Sequence, residues 1–397
     1  MNYFKGKVSP GFVSLFSGKA IIDIASGFFG LFLPIFLFEI FGKEIRLVAG
    51  YYLFGSVLYL FLVAYGARLL NRFGFRNALR LSSFFGALYY LTFYFVKADN
   101  IWLFLPLLLV IITIWRMLFW VPYNVDFAKF SSKKNRGKEV ILMEIVLSFI
   151  GIFTPIIAGF VISHFGFGVL FVFGIFVYLI SLIPFSMLPR TKEKFSWKYK
   201  ETWKKLFCKE QRGETFAFIF EGAENAISIA IWPIFIFQAL SGSFLKVGAL
   251  STLVVAITIV LQLVSSRYID DGQMKRKIFK YGGFLYAIGW GIKVFVGTFF
   301  QIFLVDSFHR FSGVFFKAPF NTITLETASE QKHYVDEFTV LREMAIAIGK
   351  IGMFVLVIGL VSFVSLKWVF VLAFFASLFL SLIGLQGGKY LNKKREE

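Results

Sequence analysis

The stretch LPIFLFEIFG (residues 33–42) returns in near copy as WPIFIFQALS (residues 232–241), and the two prolines lie 233 − 34 = 199 residues apart in a chain of 397. With 56 Phe in the chain, Phe often meets Phe by chance, so polar and proline coincidences at one fixed offset are the better test. At that offset Pro34 meets Pro233, Val48 meets Val247, Arg68 meets Arg267 and Glu144 meets Glu343. The chain reads as two copies of one unit.

Hydrophobic residues make up 58% of the chain and charged ones 16%, against roughly 25% charged in an ordinary soluble domain. The apolar residues form runs of about 20, the length at which a helix rising 1.5 Å per residue crosses ~30 Å of hydrocarbon. Such windows fall at roughly 10–41, 47–67, 81–97, 101–126, 139–162, 167–188, 214–240, 246–265, 279–298, 300–324, 337–363 and 367–386. An all-α membrane protein of twelve transmembrane helices is therefore expected.

The connections alternate in charge. Arg68, Arg72, Arg76 and Arg80 lie between spans two and three, and Lys129, Lys133, Lys134, Arg136 and Lys138 between four and five. The connection from Thr191 to Glu214 is the most basic, whereas SHFGFG (163–168) and VGTFFQ (296–301) carry no Lys or Arg. Positively charged loops stay in the cytoplasm, so both termini are expected there and the span count must be even. The domain division that follows is a six-helix half at 1–190, a basic cytoplasmic linker at 191–213 and a second six-helix half at 214–397. Both halves enter the membrane in the same direction, a parallel repeat.

Topology thus accounts for the net charge of +19, and no Lys/Arg-rich face of the kind that binds nucleic acid is seen. Cys208 is the only cysteine, so no intrachain disulfide can form. The first apolar run is long and contains Lys19 and Asp23, which argues against a cleaved signal peptide. No Walker, HExxH, GxSxG or paired-cysteine pattern occurs, so no enzyme activity, metal or cofactor is expected.

Between spans two and three the chain reads ARLLNRFGFR from Ala67. This resembles the loop signature G-x-x-x-D-R-x-G-R-K/R of the major facilitator superfamily of secondary transporters, keeping Arg72, Gly74 and Arg76 but carrying Asn71 for Asp and Phe75 for Arg. SRYIDDGQMK from Ser266 is a weaker second copy that keeps Asp270. Pro122, Arg136 and Gly137 match the family's passage from helix four to helix five. GIFTPIIAG, with Gly151, Pro155 and Gly159, resembles a glycine-proline pattern associated with antiporters and tilts the expected direction towards export.

In that family the loop carboxylate helps hold the cytoplasmic side shut. With Asn71 uncharged, Glu144 and Glu343 are candidates to serve Arg72, Arg76 or Arg267 in a cytoplasmic gate network; plain helix N-terminal acids are the alternative. The resemblance also implies that helices one, four, seven and ten line a central cavity.

Those spans hold most of the intramembrane charge, and such charges face a cavity or a partner because each costs at least ~2.5 kcal/mol at the bilayer centre. Span one carries Lys19 and Asp23; span four Arg116, Trp120 and Tyr123; span seven Glu221, Glu224 and Asn225; span ten Asp306, His309, Arg310 and Lys317. Lys19 with Asp23 and Asp306 with Arg310 are four apart and can equally be structural pairs. Lys317 and Arg342 are expected to snorkel to the cytoplasmic surface and Lys293 to the outer one. Lys350, in span eleven, falls opposite Gly151 in the repeat, so it marks either selectivity or a pairing with Glu343 or Glu224. Asp23, Glu221, Glu224 and Asp306 are the candidate proton carriers, with His309 as a relay. Pro34, Pro155 and Pro233 are expected to bend their helices.

The expected function is transport of a small solute by alternating access, coupled to protons, by a monomer in the lipid bilayer of a plasma or inner membrane. An uncoupled facilitator, or a transport-inactive receptor or scaffold of the same fold, are the alternatives.

Overall fold

A computed structural model describes residues 9–131, 136–191, 195–265, 274–330 and 335–383, and among these every regular element is helical. The first copy holds α1 (Pro10–Phe29), α2 (Leu33–Ile40), α3 (Ile45–Phe73), α4 (Phe75–Phe95), α5 (Ile101–Phe130) and α6 (Arg136–Ser186). A short linker helix, α7 (Tyr199–Leu206), follows. The second copy holds α8 (Arg212–Ala226), α9 (Trp232–Ala239), α10 (Phe244–Ser265), α11 (Met274–Ile292), α12 (Phe299–Glu330), α13 (Val335–Leu360) and α14 (Val369–Ile383). Helices suit this sequence because hydrocarbon offers the backbone no hydrogen-bond partners and a helix satisfies its own.

Eight segments among the described residues are long and apolar enough to cross a membrane. The difference from twelve has two sources. The segment Val146–Ser186 contains two expected spans, joined at Gly166, whose φ of 76° reverses the chain where a side chain would be strained. Helices α4, α11 and α12 occupy three further expected positions, but their apolar windows are interrupted by residues such as Arg76, Arg80, Lys280, Asp306 and Arg310.

The repeated prolines act at equivalent places. The ring of a proline excludes the hydrogen bond to the carbonyl four residues back, here Gly30 and Ile229. The first copy answers with a turn at residues 30–32 between α1 and α2, the second with the π-helical turn Ile227–Ile231 between α8 and α9. Pro155 lies within α6, whose non-helical dihedrals occur at Gly166 instead. Gly74, with φ 72°, makes the sharp junction of α3 with α4.

Two long seams join the copies, α6 on α10 and α3 on α13. In the first, a Cβ added to Gly248 would strike the Pro155 carbonyl, and Thr252 Oγ1 donates to the Ile152 carbonyl at 2.7 Å. In the second, Tyr52 stacks on Phe354 with ring centroids 5.7 Å apart. The linker braces this second seam. Asn71 of α3 exchanges two hydrogen bonds with the Phe195 backbone, both 2.9 Å, and Ser196 donates from N and Oγ to Glu337 of α13 at 2.8 and 2.6 Å.

Candidate functional site

Arg116 stands 116 − 101 = 15 residues into α5 and Lys350 stands 350 − 335 = 15 residues into α13, about 22 Å along each helix at 1.5 Å per residue. One belongs to each copy. Both are half-buried and border the α3–α13 seam: Lys350 stands between Glu343 and Phe354 of α13, which meet Tyr59 and Tyr52 of α3, and Arg116 lies against α3 at Gly55, between those two tyrosines. Neither forms a hydrogen bond or an ion pair among the described residues. The α3 backbone passes beneath the guanidinium: a Cβ on Gly55 would lie 3.9 Å from Arg116 Nη1.

Tyrosines surround this place. Tyr51, Tyr52, Tyr59 and Tyr89 all lie within electrostatic reach of Arg116. The hydroxyls of Tyr51 and Tyr89 bond to one another at 2.5 Å, and Tyr59 donates to Glu343 Oε2 at 2.9 Å, crossing from α3 to α13. One helical turn of α13 thus presents Glu343 to the opposite copy and Arg342 to its own, where Arg342 Nη2 bonds Glu221 Oε1 at 3.0 Å.

A second charged cluster sits wholly within the second copy. Lys293 Nζ reaches Asp306 Oδ1 at 2.8 Å and His309 Nδ1 at 3.0 Å, and lies over the rings of Trp232 and Trp290 at 3.9 and 4.2 Å. Arg310 Nε donates to Asp306 Oδ2 at 3.2 Å. With Nδ1 accepting, a neutral His309 carries its proton on Nε2, which is buried and has no partner among the described residues. Next to it, Glu224 accepts from Tyr286 at 2.6 Å, Trp290 at 3.3 Å and Lys317 at 3.1 Å. A carboxylate so deeply buried is tolerable because every donor points at it.

The first copy holds a simpler pair. Lys19 bonds Asp23 one turn along α1, with the ammonium 5.9 Å from the ring centroids of both Trp120 and Tyr123. The Tyr123 hydroxyl contacts Met143 Sδ at 3.6 Å. Asn225 is half-buried and makes no hydrogen bond among the described residues.

Several sequence expectations change. Lys293 does not reach the outer interface; it is 1% exposed and neutralised by Asp306. Lys317 and Arg342 bond Glu224 and Glu221 rather than snorkelling free. Among the described residues Glu343 bonds Tyr59 and neither Arg72 nor Arg76. Depth is the reason: Arg68 lies nine residues beyond Tyr59 on α3 (68 − 59 = 9), about 13 Å nearer the linker end. Arg68 and Arg72 are exposed, and Arg76 donates to the Leu188 carbonyl at 3.5 Å. Arg267 and Asp270 lie outside the described residues, as does the side chain of Glu144. Sequence reasoning missed Tyr286, Trp290 and Lys293 as one group, although their i, i+4, i+7 spacing puts them on one helix face. Tyr59 carried no such local signal. Among the described residues no group of three or more His, Cys, Asp or Glu is placed to hold a metal ion.

A two-copy helical frame of long apolar helices with buried charge between and within its halves is that of a polytopic membrane protein. The family model of the Major Facilitator Superfamily matches residues 15–212. Solved structures sharing the architecture include the human organic anion transporter MFSD10 (TETRAN), with a TM-score of 0.68, 13% identity, and 94% of this chain and 99% of that one covered. A POT family transporter in complex with 5-aminolevulinic acid gives a TM-score of 0.70 at 11% identity, covering 94% and 95%. A bacterial homologue of the iron transporter ferroportin, outward-facing with soaked iron, gives 0.66 at 12%, covering 95% and 99%. No curated protein matches the sequence. The chain belongs to the major facilitator superfamily.

Proposed function

We propose that the chain is a secondary active transporter whose twelve helices span a cell membrane with both termini cytoplasmic. As a monomer, it moves a small solute by rocking residues 1–190 against 214–397 about the linker. The observation that carries this is the contrast among buried charges. Asp23, Glu221, Glu224 and Asp306 each bond a cation, whereas Arg116 and Lys350, from opposite copies and at mid-helix, have no partner among the described residues. A charge without a partner inside hydrocarbon is costly, and a solute that binds there supplies the partner.

Proton coupling fits Glu343 better than the four paired acids. Its carboxylate is buried, is held by a hydroxyl from the opposite copy, and forms no ion pair among the described residues. Protonation removes the charge that Tyr59 bonds and loosens the seam between α3 and α13. The glycine-proline stretch around Pro155, which forms the α6–α10 seam, favours export.

Reconstitution of the full chain into liposomes with an imposed pH gradient tests this against a panel of solute classes. The expected result is gradient-driven accumulation that Glu343→Gln abolishes while leaving downhill exchange intact. Full retention of gradient-driven accumulation in that variant would remove Glu343 as the carrier. Exchange without any gradient dependence in the parent would make the protein a facilitator. The paired acids are also what an inactive scaffold would show, and that second reading stands if no solute of any class moves.

A further inference from the structure

We propose that Arg116 and Lys350 form one anion-binding pair and that the solute is a small organic anion whose oxyanion head bridges them. This rests on the transporter reading and names the substrate class of its site.

The charges around the pair favour an anion over the other solutes the sequence leaves open. From α13 come Arg342, Glu343 and Lys350, from α5 Arg116, from α8 Glu221, and from α3 and α4 only tyrosines. Arg342 and Glu221 neutralise one another at 3.0 Å. Glu343 is turned to Tyr59, leaving two cations against one acid that is already hydrogen-bonded. A cationic solute would meet Arg116 and Lys350, with Glu343 held by Tyr59 and Glu221 already paired with Arg342. An oxyanion would be met by a forked guanidinium and an ammonium, the former suited to two-point hydrogen bonding. Tyr52, half-buried beside Arg116, has a hydroxyl with no partner among the described residues and can donate to the same head.

The repeat separates this pair from the scaffold. At the offset of 199 residues, Arg116 falls on Phe315 and Lys350 on Gly151. Gly151 is packed against Val255, a Cβ there lying 3.5 Å from Val255 Cγ1, so the fold does not need a cation at that place. The two cations occupy positions that the other copy fills with apolar packing, and they converge from opposite halves. A ligand bridging them would couple its own binding to the approach of those halves.

The test measures thermal unfolding of the detergent-purified full chain with benzoate, glutarate, citrate and phenyl phosphate, against benzyl alcohol, benzylamine and chloride at matched ionic strength. At least one organic anion is expected to raise the melting temperature, with benzyl alcohol, benzylamine and chloride inert. Arg116→Gln and Lys350→Gln should each raise the Kd of that anion by about 30-fold or more, the loss expected when one partner of a buried charge contact is removed. Lys350→Arg should retain most of the binding, and the unliganded melting temperature reports that each variant is folded. Stabilisation by no anion of the panel, by benzylamine or by chloride equally, or by an anion whose Kd neither substitution moves, overturns the proposal. Liposome exchange separates the two levels. An anion that binds with the expected variant pattern but never moves leaves the pair standing and overturns transport. Exchange of a neutral solute, unchanged in both variants, does the reverse.

Discussion

The seam of α6 with α10 and the seam of α3 with α13 are counterparts: the offset of 199 residues carries the start of α3 at Ile45 onto Phe244 and the start of α6 at Arg136 onto Val335. They are built by different means. Pro155, whose carbonyl lies against Gly248, corresponds to Phe354, which stacks on Tyr52. Gly151 corresponds to Lys350, and Val255 to Ser56. One seam brings backbone against backbone at Gly248 and Pro155; the other is spaced by rings, carries Glu343 and borders the two lone cations. The linker also braces the second, through Asn71, Phe195, Ser196 and Glu337. Counterpart seams of one frame can therefore be held by different contacts, close backbone approach in one and rings with a hydroxyl–carboxylate bond in the other.

The comparison breaks most visibly at its tightest point. Gly248→Leu drives a side chain into the Pro155 carbonyl, which cannot move aside as a side chain would, and is expected to cost about 3 kcal/mol or more. Thermal unfolding of the full chain measures it, and parental stability would show that the seam has slack.

Next in size is Asn71→Asp, which restores the residue of the family signature. Here it removes the donor to the Phe195 carbonyl and sets a carboxylate against that oxygen, a loss of about 1–3 kcal/mol at the brace. Faster tryptic cleavage in the basic linker is the expected readout; unchanged cleavage would mean that the linker is held by other contacts, such as Tyr199 to the Phe61 carbonyl.

The smallest effect belongs to Thr252→Val. The Ile152 carbonyl it would abandon already has a helical partner by the i to i+4 pattern, so the loss should be about 1 kcal/mol or less in the same unfolding assay. A larger drop would shift the credit for the first seam from glycine packing to hydrogen bonding.

Much of the fold is legible along the chain because its signals are local. Apolar windows, the repeated prolines and the alternation of basic connections each depend on residues within a turn or a loop of one another, and helices form at each position where they were expected. Lys19 with Asp23 and Asp306 with Arg310 were legible for the same reason, being one turn apart. The candidate site is different. Lys317 finds Glu224 across 93 residues, Arg342 finds Glu221 across 121, and Tyr59 finds Glu343 across 284. No local period encodes such meetings. Lys293 illustrates the consequence: a lysine near a helix end reads as an interfacial anchor, yet in the turn that follows α11 it enters the core and neutralises Asp306.

The sequence by itself determined a duplicated helical membrane protein and the inventory of charges it carries inside, because hydropathy and repetition are properties of the chain. Tertiary structure alone decided which of the charges more than one turn apart cancel. Helix rotation and crossing bring Glu221, Glu224 and Asp306 to cations on neighbouring helices and leave Arg116 and Lys350, from opposite copies, without a partner among the described residues.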